Sequence, residues 1–336
     1  MADSGAVTDR RAAAAVGTTL GLWAAAFVAI RVALPGFSVA GLSLGRLIVA
    51  SAALAATTRL RPVRRPARAD LPRIAGCGLA GMTGYQLLLN GGERTVPGGT
   101  ASLFVATSPI FAAVLALALL REPLTMRARL GIGLGFAGAA VMALAQGHGV
   151  GLSIDALLVL AAAVAQALFF VLQKPLLAAY SGFEVTCYAM WAGTVFSLPL
   201  SPRLAGDLAH VGGKPLAALL FLGIGPSAIG FVAWAYGQAR LPVATAANTL
   251  YLVPFLAIGI GWAVLGETVH AAALAGGALA LIGVAVSRPS RKPRLRAAPA
   301  TQHDHEKACQ QGKPAGPGDQ QDQTPVVHGP MRSGDA

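Results

Sequence analysis

Charge is what this chain has least of. Asp, Glu, Lys and Arg make up 12% of its 336 residues, against roughly 25% in an ordinary soluble domain, and 13 of the 40 charged residues fall after Ser287. Hydrophobic residues make up 55%. That balance excludes a soluble enzyme, and it excludes a disordered chain, because disorder requires low hydrophobicity. Cysteine is almost missing too: Cys77, Cys187 and Cys309 are too few and too scattered for a disulfide framework or a CxxC metal site. No GxxxxGK[ST] phosphate loop occurs, which argues against ATP driving this chain from within. A net charge of +12 would suggest nucleic acid in a soluble protein, but here Lys and Arg border apolar stretches instead of forming a basic face between aromatics. The charge reads as orientation in a lipid bilayer, not as a nucleic-acid ligand.

What is present is a series of long apolar runs. A helix needs about 20 mostly apolar residues to cross a hydrocarbon core roughly 30 Å thick. Such runs lie at 12–34, 38–57, 71–91, 98–120, 130–146, 153–174, 183–201, 215–237, 242–265 and 268–287. The sequence therefore predicts an all-α integral membrane protein of ten transmembrane helices, since the runs are continuous and show no alternation of barrel strands. Arg10 and Arg11 precede a first run that is longer than a signal-peptide core and lacks a clean cleavage site, so it reads as an uncleaved span.

The connections carry very unequal charge. Arg10 and Arg11, Arg59 to Arg73, Arg121 to Arg129, Lys174, Arg240 and the cluster after Ser287 place 18 cations on one side, against Arg94, Arg203 and Lys214 on the other. By the positive-inside rule both termini face the cytoplasm, and the expected location is the plasma membrane, the inner membrane of a bacterium.

Sliding the chain by 145 residues superposes Pro97, Thr100, Pro109, Glu122, Gly131 and Gly138 on Pro242, Thr245, Pro254, Glu267, Gly276 and Gly283. Across 97–141, 14 of 45 positions coincide. Each copy holds five spans, an odd number, so the second must enter the membrane in the opposite direction. The charge agrees: the loop at Glu122 holds three Arg and its copy at Glu267 holds no Lys or Arg. A duplication with reversed charge bias is what an inverted-topology repeat predicts. The expected organisation is a cytoplasmic N-terminal segment 1–11, five-helix repeats 12–146 and 153–287, and a disordered cytoplasmic tail 288–336.

Trp23, Phe27 and Arg31 in the first span, Arg46 in the second, and the two Pro, Glu and Gly sets just described resemble the drug/metabolite transporter superfamily, specifically its ten-helix EamA-type transporters. The resemblance covers residues 15–287; Ala24 departs from it, standing where the family often has Gly after the Trp. It implies an inverted-repeat bundle with a central cavity that moves amino acids, nucleobases, drugs or other small metabolites, and it assigns no cofactor.

Polar residues inside spans should avoid lipid. Gln86, Asn90 and Glu93 fall at i, i+4 and i+7 on one side of the third span. Thr19, Trp23, Phe27 and Arg31 form a similar stripe in the first, Gln166, Phe170 and Gln173 in the sixth, Phe231, Trp234 and Gln238 in the eighth, and Thr245, Asn248 and Thr249 in the ninth. A cavity shared by the two halves would have such walls. Trp23, Gln86, Asn90, Gln166, Trp234, Gln238, Asn248 and Tyr251 are the candidate substrate contacts. Each amide could equally hydrogen-bond a neighbouring helix at about 0.6 kcal/mol. Tyr188 and Trp191 fit either the cavity or an interfacial anchor.

Arg46 lies well inside its span and either snorkels outward or faces the cavity and attracts an anionic group, while the resemblance implies a structural or gating role for it; Arg31, near a span end, is expected to snorkel. Pro109 and Pro254, at repeat-related positions, should kink their spans around a midplane site. Glu122 and Glu267 end their spans and read as fold markers. GxGxxG at Gly133, Gly135 and Gly138 lies inside an apolar span and reads as helix contact, not nucleotide binding. Ser227 with His270 lacks the setting of a hydrolase pair. His303, Asp304, His305, Glu306 and Cys309 read as solvated tail and not as a metal site.

The expected function is secondary transport, with export favoured, of a small organic metabolite or drug by alternating access, with no catalytic residue, metal or cofactor. An integral membrane enzyme and a structural membrane subunit stand as alternatives. Oligomeric state is open between a monomer and a homodimer.

Overall fold

A computed structural model describes residues 3–120, 126–145, 153–238 and 249–287. Among them the chain is helical, without strands, and the helices fall into ten spans. They are α1 (Asp3–Ala33), α2 (Val39–Thr58), α3 (Leu71–Cys77, Gly78–Gly84 and Tyr85–Gly92 in continuous succession), α4 (Gly98–Val105 and Ser108–Leu120) and α5 (Met126–Ala145). The second half follows as α6 (Ile154–Ala179), α7 (Gly182–Ser197), α8 (Gly213–Leu222, Gly223–Gly230 and Phe231–Gln238), α9 (Leu252–Leu265) and α10 (Ala271–Ser287). The segment Ser201–Leu208 between α7 and α8 is a short amphipathic helix.

Local sequence sets the helix ends. Ser38 caps α2 by accepting from the Gly41 amide, Ser153 does the same for α6, and Ser181 with Glu184 forms a capping box at α7. Gly266 closes α9 in the left-handed region at φ 65°, which a Cβ would strain. Five helices, within α1, α2, α4, α6 and α8, are long and apolar enough to cross a membrane on their own. The apolar parts of α5, α9 and α10 are shorter, and α3 and α7 carry more polar residues. Phe136, Phe255 and Trp262 are exposed on the outer surface, as lipid-facing side chains are.

The duplication is visible in the backbone. A π-helical turn interrupts α3 at Gly78–Gly84, and another interrupts α8 at Gly223–Gly230, 145 residues later. Each turn packs on the second span of the other repeat. A Cβ on Gly78 would meet Ala192 and Gly193 of α7, and one on Gly223 would meet Val49 and the Arg46 carbonyl of α2. The fifth spans cross each other directly. A Cβ on Gly138 would lie 2.5 Å from the Gly276 carbonyl, and one on Gly283 would lie 2.6 Å from the Gly131 carbonyl. Since Gly131 and Gly138 are the copies of Gly276 and Gly283, the contact is self-complementary. Residues advance along α5 as they recede along α10, so the equivalent helices run in opposite directions. Of the glycines that spell GxGxxG, Gly138 makes this approach, Gly135 offers its backbone to Gly283 while its own Cβ would meet Ile110 of α4, and Gly133 has open space.

Side-chain bonds sort the connections into two ends. At one, Ser38 donates to Asp207, Thr95 to Asp155, and the Gly98 amide to Glu267. At the other, Arg64 donates to Glu184 at 2.8 Å, and Tyr180 joins the Ala67 amide to Asp70. That alternation is the one ten passes require.

Candidate functional site

A cavity of about 440 Å³ opens between the two repeats. Trp23, Phe27 and Ile30 of α1, Arg46 of α2, and Tyr85 and Leu89 of α3 form one part of its wall; Gln166 and Phe170 of α6, Phe231 of α8 and Val284 of α10 form another. The wall is completed at two places where helices break. α4 is interrupted at Ala106 and Thr107, and the helix restarts with Pro109 in its first turn. α9 begins after a turn at Leu250 and Tyr251, with Pro254 in its first turn. Val105, Ala106, Ser108 and Pro109 line the cavity from α4, as do Leu250, Tyr251, Val253 and Pro254 at α9. The prolines therefore mark breaks, a larger departure than the expected kinks. Backbone groups freed by a break must be re-satisfied inside a membrane. At α4 the hydroxyls of Thr107 and Ser108 donate to the carbonyls of Phe104 and Val105. Ser108 also reaches Gln166 Oε1 at 2.9 Å.

The α8 π-turn is held in the same manner. Thr19 donates to the Gly230 carbonyl and Trp23 Nε1 to the Pro226 carbonyl at 3.1 Å. Trp23 also touches the rings of Phe231 and Trp234, with centroids 5.3 and 5.6 Å away.

Of the residues singled out from sequence, Trp23, Gln166, Tyr251, Arg46, Pro109 and Pro254 meet at this cavity. Gln86, Asn90 and Trp234 do not line it. Trp234 stands behind Trp23, packed with Val16 and Leu20. Asn90 is fully buried and donates to Ser43 Oγ of α2 at 2.8 Å. The reason is angular. Successive helix residues point about 100° apart, so Tyr85 and Leu89 present a cavity face while Gln86, Asn90 and Glu93 present the neighbouring one, on which Asn90 meets Ser43 of α2. The spacing identified a shared face correctly but could not say what that face meets. The Gln238 side chain and Asn248 lie outside the described residues, as do Glu122 and the tail from 288 on.

Tyr85 and Ser108 were missed by the sequence reading, although a Tyr beside the polar stripe and a Ser before a repeated Pro were both available signals. Tyr188 and Trp191 do not line the cavity. Tyr188 donates to the Arg64 carbonyl, and Trp191 Nε1 to the Ser51 carbonyl. Ser227 accepts from Arg46, and His270 is exposed at the start of α10.

The charged residues also find places that the sequence leaves open. Arg31 does not snorkel: it pairs with Glu267 at 2.8 Å and donates to the carbonyls of Glu93 and Arg94. Glu267 in turn accepts from the Gly98 amide, at the N-terminus of α4, where a carboxylate is favoured by the free amides and the helix dipole. Glu267 thus clamps the second repeat onto the first. Arg46 does not snorkel either. It is 5% exposed, and its Nε donates to Ser227 Oγ at 2.8 Å. Glu93 is fully buried at the end of α3, its oxygens without hydrogen-bond partners.

An all-helical membrane bundle of two interlocked repeats, with helix interruptions lining a cavity between them, is the architecture of a small-molecule transporter. The comparisons with known proteins give the family. The profile of the EamA-like transporter family matches twice, at residues 13–144 and 153–288, and the chain belongs to that family. A protein of Streptantibioticus cattleyicolor named "Probable terminal-alkyne amino-acid exporter" is 49% identical over 266 residues, covering 79% of this chain and 89% of that one. The transporter YdfC of Bacillus subtilis, named as uncharacterized, is 32% identical over 79% of this chain and 87% of its own length. A crystal structure of a protein 21% identical covers 82% of this chain and 96% of that one with a TM-score of 0.54, a likeness of fold.

Proposed function

We propose that this transporter is an exporter of a small organic metabolite, working by alternating access at the cavity between its repeats, in the inner membrane of a bacterium with both termini in the cytoplasm. The observation that carries the reading is that two repeat-related prolines, Pro109 after the break in α4 and Pro254 after the turn that opens α9, line the same cavity. The breaks in α4 and at α9 are hinges by which each repeat can bend around a fixed site, and repeat exchange converts a state open to one side into a state open to the other. The S. cattleyicolor relative, named for a terminal-alkyne amino acid, makes amino acids with slim apolar side chains the first solutes to test.

Orientation rests on charge. The end that holds Arg59, Arg61, Arg64, Arg65, Arg68 and Arg73 is assigned to the cytoplasm. Single cysteines at position 65 and position 212, in a background without native cysteine, should label from opposite sides of intact cells; labelling from the same side defeats the topology. Counterflow in proteoliposomes tests the function itself, with accumulation of labelled amino acid against unlabelled internal pool expected. If no organic solute exchanges, the exporter reading fails.

A further inference from the structure

Among the described residues, Arg46 is the one charged side chain on the cavity wall; no Asp, Glu or Lys lines it. The two ion pairs among those residues, Arg31 with Glu267 and Arg64 with Glu184, lie elsewhere. Arg46 is buried and held by one side only. Ser227 Oγ accepts a hydrogen bond from its Nε, while Nη1 is buried without a hydrogen-bond partner. An arginine within a membrane protein is costly unless it has a counter-group or a function, and a buried donor left unmet costs about 1–3 kcal/mol. Ser227 is neutral and positions the guanidinium; the buried Glu93 carboxyl acts on Arg46 only at longer range, with no hydrogen bond between them. The planar fork matches a carboxylate.

The rest of the wall narrows the choice of anion. Trp23, Phe27, Phe170 and Phe231 bring aromatic faces to the cavity, and Gln166 and Ser108 bring neutral polar groups. One cation among aromatic walls balances a single negative charge; a phosphate dianion would leave excess charge in a poorly hydrated space. Aromatic faces accept an apolar tail, and they also attract an ammonium group, which no carboxylate on the wall competes for.

We infer that Arg46 is the anchor for the carboxylate of the transported solute, and that the cavity takes small monocarboxylates with an apolar tail, amino acids among them. This rests on the transporter reading and adds to it the head group and the residue that holds it. Because Ser227 belongs to the α8 π-turn and Arg46 to α2, the anchor sits on the seam between repeats, and the ligand bears on both halves.

The test is binding to the purified full-length protein, followed by tryptophan fluorescence and by thermal stabilisation. Four probes separate the groups: 2-amino-4-pentynoate, 4-pentynoate, 2-amino-4-pentynamide and but-3-yn-1-amine. The two acids should bind, and the amide and the amine should bind about tenfold more weakly or worse, the difference a charge-assisted hydrogen bond makes. Arg46→Gln should erase that preference, and Arg46→Lys should weaken acid binding several-fold through loss of the fork. Equal binding of acid and amide, or an undiminished acid preference in Arg46→Gln, overturns the inference. Should Arg46→Gln not fold, Arg46→Lys decides the residue, and wild-type affinity there overturns the assignment. If the acids fail to bind while another solute still shows counterflow, the carboxylate anchor falls and the transporter reading stands.

Discussion

The two repeats copy each other's backbone far more faithfully than each other's chemistry. Both have a π-turn in the third span, a break facing the cavity and a glycine-rich fifth span. Side chains at equivalent positions diverge. Arg46 in α2 corresponds to Trp191 in α7, and Gln86, Asn90 and Glu93 in α3 correspond to Phe231, Ala235 and Gln238 in α8. Arg31 corresponds to Leu176, which is buried. The first repeat therefore holds the buried ionisable groups around the site, aromatic surface comes from both repeats, and the second adds Ser227 as the hydroxyl partner of Arg46. Under the proposed alternating access, symmetry in the scaffold would let one bundle adopt two mirrored openings, and asymmetry in the lining would give the solute one orientation in both.

The glycine crossing should be the most fragile shared feature. Gly138→Leu and Gly283→Leu, repeat-related, each force a side chain into the facing backbone, and each should cost about 3 kcal/mol, read as loss of folded yield and a lower melting temperature in detergent. Gly133→Ala, with open space at its Cβ, should leave the melting temperature at or slightly above wild type. If all three behave alike, the crossing is not what holds the fifth spans together.

Next in size is the clamp that the repeats do not share. Glu267→Ala removes the partner of Arg31 and the group at the α4 N-terminus together, and should destabilise by about 2 kcal/mol. A double-mutant cycle with Arg31→Ala should show strong non-additivity; additive losses would mean that the pair contributes little as a pair.

Position relative to the cavity wall should separate two neighbouring tryptophans. Trp23→Ala should lower counterflow about tenfold, the scale of one lost aromatic contact plus its hydrogen bond, whereas Trp234→Ala should act chiefly on stability. The reverse order in proteoliposome rates would place the solute behind Trp23 instead of in front of it. Smallest of all, Asn90→Ala should cost about 0.6 kcal/mol and leave transport of the folded fraction near wild type, because its partner is Ser43 of α2.

Much of the architecture is legible in the amino-acid sequence. Continuous apolar runs, reversed charge in repeat-related loops and the 145-residue offset depend on composition and order alone, and the lipid imposes them on any chain of this kind. The site was legible only in part. Trp23, Gln166 and Tyr251 lie on the wall, while Gln86 and Asn90 share their helix face with each other but not with the cavity. The breaks at Pro109 and Pro254 were foreshadowed by residue type, yet a proline in isolation signals only a missing amide, and the extent of the interruption depends on what satisfies the freed carbonyls.

The chain's own order of residues was enough to set the number of passes, their alternation and the duplication, because each follows from local transfer into lipid and from charge beside it. Which helix face meets which neighbour belongs to the folded bundle. Arg31 finding Glu267 from 236 residues away, and Arg46 turning inward to Ser227 instead of outward to water, are pairings between repeats. Helical periodicity names a direction around an axis, and only packed partners give that direction something to touch.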